Sequence, residues 1–130
     1  MMIWMAIAAG GALGAMGRYA TTLMIAAGMG PGWQPLATLV VNVVGSGLMG
    51  VLYGMMTTGL ISLGDPARLF VQVGLLGALT TFSSFALDAA GLFEKGEAGL
   101  AALYVLGSVL LSLAAFIGML MLIRSMAGGQ

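Results

Sequence analysis

Four long apolar runs separated by short links organise the chain, at about residues 3–26, 36–58, 67–90 and 98–123. A spanning helix needs roughly 20 apolar residues. Each run meets that length, so the pattern predicts one all-α integral membrane domain over residues 1–130, with four transmembrane helices. The links read as turns: "GMGPGWQP" (28–35) and "TTGLISLGDP" (57–66) carry Gly and Pro punctuation, and "FEKGEAG" (93–99) is strongly polar. Inside the runs the polar positions fall in lines. Asn42 lies within the second run, Thr80, Thr81, Ser83 and Ser84 follow one another in the third, and Tyr104, Ser108 and Ser112 recur at i+4 steps in the fourth. That spacing stacks side chains on one side of a helix.

Composition supports the same class. The 130 residues are 61% hydrophobic and 6% charged, with formal net charge zero and a mean hydropathy of +1.12. Most charges sit where spans would end, at Asp65, Arg68, Glu94, Lys95, Glu97 and Arg124; Arg18 and Asp88 are the exceptions. The chain has no cysteine and no histidine, which removes disulfides, thiolate chemistry and the usual metal and acid–base groups of enzymes. No enzymatic activity and no nucleic-acid partner are expected. The first run lacks a preceding basic residue and is long for a signal peptide, so it reads as a retained span.

Lys and Arg on short loops normally orient a membrane protein. Here Arg68 and Arg124 fall on one side, and Lys95 and a snorkelling Arg18 on the other. The balance gives no orientation bias. A short four-span chain also has little room to enclose a pore alone, and the simplest closed assembly is a two-fold dimer. With oppositely inserted copies, its axis lies in the membrane plane.

Small residues mark packing faces. Gly10, Gly14 and Gly17 line one side of the first span, and Ser46, Gly50 and Gly54 one side of the second. Lipid gives helices no hydrophobic reason to associate, so close approach of backbones at small residues holds them together. Contacts within one subunit account for such faces more readily than a dimer-specific seam.

An unpaired amide in hydrocarbon costs several kcal/mol, so Asn42 must face protein or water. Alone it would read as interhelical glue worth about 1 kcal/mol, and single Ser or Thr residues usually bond back to the i−4 carbonyl. Aligned polar stripes on three helices read better as the lining of a pathway. That lining is neutral. Residues 1–64 contain no acid, whereas a proton-coupled transporter needs an embedded carboxylate and a cation path needs carboxylates or carbonyl rings. Hydroxyl and amide donors suit a small anion. Phe82 and Phe85, three apart and so on one face, add electropositive ring edges; as an isolated pair they would read as core packing.

Three motifs in order resemble the Fluc (CrcB) fluoride channels: "GGALGAMGRY" (10–19), "TLVVNVVGSGLMG" (38–50) and "GLLGALTTFSSF" (74–85). With the length and layout, the resemblance covers essentially the whole chain, and the third motif is the most specific. It implies a dual-topology antiparallel homodimer, a third helix broken near its middle, and two fluoride pores that export the ion passively across the bacterial cytoplasmic membrane. Asn42 would be a fluoride donor, Phe82 and Phe85 would offer ring edges, and Ser83 and Ser84 would belong to the hydroxyl track. Tyr104, Ser108 and Ser112 would supply the wall from the fourth span. The resemblance also implies a structural sodium ion on the dimer axis, held by backbone carbonyls of Gly77 and Thr80. Arg18 matches the arginine of the first motif, with either a role at the pore mouth or a packing role; Asp88 has either a vestibule or a structural one.

The chain departs from the family pattern at Ser84, where Thr is common, at Asp88, where Glu is common, and at Ala37, where Gly is usual. Ser84 keeps its hydroxyl, and Asp88 is one methylene shorter. Two rival readings remain at this level. A small proton-coupled multidrug exporter shares the length and layout but needs a carboxylate in the first span, and a structural membrane subunit would use its glycine faces to dock another protein.

Overall fold

The computed structural model describes residues 1–128 and is all-helical, with no strand among them. α1 (Met2–Met29) ends where Gly30 takes φ 98°, a conformation open to glycine. A single turn, Pro31–Trp33, leads into α2 (Gln34–Thr57), which starts with Pro35 in its first turn, where the missing N–H removes no helical bond. After Gly59 the chain re-enters helix at α3 (Asp65–Leu69). Asp65 sits at the positive end of this turn and accepts a 2.8 Å bond from Arg68, exposed on both sides.

The third apolar run is not uniform. α3 passes into a wider π-type stretch, Phe70–Leu76, then a short turn α4 (Gly77–Leu79). Thr80 (φ −81°, ψ 153°) and Thr81 (φ −154°, ψ 122°) are extended, and helix resumes as α5 (Phe82–Glu94). Thr81 caps α5, its hydroxyl accepting the Ser84 amide at 3.1 Å. α5 closes at Lys95 and Gly96, and α6 (Ala98–Gly128) completes the chain. Among the described residues three stretches, Pro31–Thr57, Asp65–Glu94 and Ala98–Gly128, are long and apolar enough to cross a membrane. α1 is 28 residues long but is diluted by glycine and Arg18.

Backbone contact at glycine holds the helices together. Gly10 meets the Phe70 carbonyl and Gly14 the Leu75 carbonyl, while a Cβ on Gly74 would lie 2.8 Å from the Ile7 carbonyl. α1 therefore seats against the π stretch and α4, and α2 seats against α6 through Gly50 on the Phe116 carbonyl and Gly54 beside Ile123. The two small-residue faces are thus used inside one subunit. Gly17 meets the Leu79 side chain rather than backbone, and Ser46 borders a cleft. A separate buried cluster, Phe85, Leu92, Ala101 and Tyr104, joins α5 to α6.

Candidate functional site

Where α4 gives way to extended backbone, the Thr80 amide still closes onto the Leu76 carbonyl at 3.1 Å, whereas the Thr81 N–H and C=O find no place in the helical ladder. In hydrocarbon they need other partners. Asn42, on the facing side of α2, supplies them: its Nδ2 donates to the Thr81 carbonyl at 3.0 Å, and the Thr81 amide donates to its Oδ1 at 2.7 Å. The side-chain amide thus pairs with a peptide unit as a neighbouring strand would. An Asn amide carries two N–H donors, and the second makes no bond among the described residues.

The break also releases carbonyls. In an unbroken helix the Thr81 amide would close onto the Gly77 carbonyl and the Ser84 amide onto that of Thr80; instead they bond Asn42 Oδ1 and Thr81 Oγ1. The Gly77 and Thr80 carbonyls are left as acceptors, the donor set a hard cation prefers.

Beside this joint lies a cleft of about 460 Å3. Asn42 and Ser46 line it from α2, Gly77, Thr80 and Thr81 from the joint, Phe82 and Phe85 from α5, and Ser108 and Ser112 from α6. No lining side chain is charged. The rings of Phe82 and Phe85 are 5.3 Å apart and tilted by 50°, the first 78% exposed and the second 8%. Ser108 is 4% exposed, and its Oγ is enclosed with no hydrogen-bond partner among the described residues. Buried hydroxyls are normally paired, so this one is available to a guest.

Other expected site residues lie around the cleft rather than on it. Ser83 and Ser84 place their hydroxyls 3.2 and 3.1 Å from Thr81 Oγ1, tying the start of α5 together. Tyr104 is buried, its ring 5.5 Å from that of Phe85, and its hydroxyl donates to Asp88 Oδ2 at 3.2 Å. The Thr38 hydroxyl donates to the same oxygen at 2.6 Å. Asp88 is therefore a half-buried acceptor that joins α2, α5 and α6. Arg18 is half-buried on α1 and is not part of the cleft lining.

Three participants were not singled out for these roles by sequence: Thr38 as the partner of Asp88, Thr81 as the partner of Asn42, and Ser46 in the lining. Thr38, Asn42 and Ser46 are spaced at i+4 and share a face of α2, a signal as regular as the Tyr104, Ser108, Ser112 series that α6 presents.

The family model described as CrcB-like protein, Camphor Resistance (CrcB), matches residues 5–119. The chain belongs to the CrcB family. Its similarity to individual CrcB relatives runs nearly end to end. A Nitrobacter hamburgensis protein named Fluoride-specific ion channel FluC 2 is 44% identical over 124 residues, 95% of this chain and 98% of its own. Relatives named Fluoride-specific ion channel FluC include one from Rhodospirillum centenum, 46% identical over 128 residues (96% and 98%), and one from Cereibacter sphaeroides, 51% identical over 108 residues (83% of each). Together with the long apolar helices, this CrcB membership makes the chain a multi-pass bacterial membrane protein.

Proposed function

We propose that the chain is a fluoride-selective channel, not an enzyme, which lets fluoride leave the cell passively and so lowers its cytoplasmic concentration. The observation that carries this reading is the uncharged cleft at the α4–α5 joint, where one N–H of Asn42 and the hydroxyl of Ser108 have no partner among the described residues. Fluoride is small and tightly hydrated, and an ion of carboxylate size costs on the order of 20 kcal/mol to desolvate in the ideal limit. Each hydrogen bond to a charged partner returns about 1.5–3 kcal/mol net. A file of several OH, NH and ring-edge contacts is therefore required, and a cluster of weak neutral partners lets the ion leave again. The printed names of the relatives support the same reading.

In this reading α1, α2, the α3–α5 run interrupted at Thr80 and Thr81, and α6 are the four spans. Two copies inserted in opposite directions in the inner membrane form an antiparallel homodimer with two pores. The even split of Arg18, Lys95, Arg68 and Arg124 between the two sides supports dual topology. Phe82, largely exposed on the single chain, would meet the pore between subunits. The carbonyls of Gly77 and Thr80 fit a structural sodium ion at the two-fold axis, which would neutralise acceptors that the bilayer cannot.

Reconstituted vesicles loaded with potassium fluoride test the transport mode. With valinomycin added and equal pH on both sides, fluoride should empty at a rate that an imposed proton gradient does not change. Efflux that requires the proton gradient would transfer the chain to the coupled exporters.

A further inference from the structure

Ser46 lies one helical turn beyond Asn42 on α2 and borders the same cleft. A helical Ser or Thr ordinarily satisfies its hydroxyl on the carbonyl four residues back, as Thr21, Thr22 and Thr80 do here. The side-chain bonds in the rest of α2 belong to Thr38, Asn42, Met56 and Thr57, and Ser46 makes none among the described residues. The close α2–α6 approaches are made by Gly50 and Gly54, with Gly47 beside Ala115 and Met119.

A second observation comes from the other wall. Ser108 on α6 reaches the same cleft with its Oγ enclosed and unpartnered, at 4% exposure. A buried hydroxyl without a partner is destabilising unless something in the cleft accepts its proton. Two hydroxyls, one from each helix, thus border one cavity, and neither makes a hydrogen bond to protein among the described residues.

We infer that Ser46 is a further fluoride-binding residue of the pathway, its O–H acting with that of Ser108 on an ion held between α2 and α6. The pair forms a subsite about 6 Å along α2 from Asn42, the rise of four helical residues. An ion released by the second N–H of Asn42 then meets two hydroxyl donors before it leaves the cleft. The cleft is lined by Val109 and Leu113 as well, so in that stretch the serines supply the donors that replace water.

The inference rests on the fluoride-channel reading, and one experiment separates the two. Unaltered protein, Ser46→Ala and Ser46→Gly are reconstituted at equal density, and fluoride efflux under valinomycin is followed with a fluoride electrode. Both variants should slow efflux about tenfold, the equivalent of one charge-assisted hydrogen bond, while eluting from size exclusion like the unaltered protein. Gly removes the hydroxyl without adding volume, so it decides the matter if Ala perturbs assembly. Efflux within twofold of the unaltered protein in a normally eluting variant overturns the role of Ser46 and leaves the channel reading intact. No efflux from the unaltered protein overturns the channel reading itself.

Discussion

Replacing Asn42 by leucine is expected to lower fluoride efflux by about a hundredfold or more. Two effects act together. The substitution removes the amide that Asn42 brings to the cleft lining, and it strands the Thr81 amide and carbonyl, now paired at 2.7 and 3.0 Å. Two bonds of about 1.4 kcal/mol each already correspond to a factor near one hundred. The unpaired peptide would then draw Thr80 and Thr81 toward helical hydrogen bonding and reshape the lining at Phe82. The Gly50 and Gly54 contacts with α6 are untouched, so the variant should still assemble. Efflux assays on a variant with a normal elution profile check this. Flux equal to the unaltered protein would remove Asn42 from the pathway.

Gly50→Val has the other large expected effect, on folding rather than conduction. A Cβ at Gly50 runs into the Phe116 backbone, both its carbonyl oxygen and its carbon. Inserted volume in a packed interior costs typically about 1–3 kcal/mol, and here the obstacle is backbone, which cannot rotate away. α2 and α6 would have to separate, opening the cleft that lies between them. The variant should lose the folded peak on size exclusion in detergent and melt well below the unaltered protein. Gly118→Ala provides the contrast, since a Cβ there meets nothing within 4 Å; it should melt at or slightly above the unaltered temperature.

Hydropathy made the helices legible because a spanning helix must be apolar throughout, and because Gly30, Pro31, Gly59 and Pro66 mark the turns in the sequence itself. The extended pair Thr80–Thr81 was not legible in that way. Its residues are moderately polar, no proline interrupts the run, and the π stretch at Phe70–Leu76 has the same apolar character as the helix around it. Only the resemblance of the third motif pointed to irregular backbone there. Asn42 was legible as a buried amide in need of a partner, but the partner is a peptide group 39 positions away, and side-chain patterns carry no information about backbone acceptors. Ser46 was grouped with Gly50 and Gly54 by small size, whereas its equal spacing from Asn42 places it on the polar face. Asp88 and Thr38, 50 residues apart, meet only because α2 and α5 cross, a fact of tertiary structure with no local trace.

The cleft at the α4–α5 joint offers neutral donors and no charged side chain, and that arrangement ought to distinguish halides by hydration. The most direct measurement is the efflux of fluoride against chloride from the same reconstituted vesicles, each ion followed with its own electrode under a valinomycin clamp. Fluoride should empty within the time of the assay while chloride stays at the leak rate of protein-free vesicles. Equal release of the two ions, or retention of fluoride, would contradict the account.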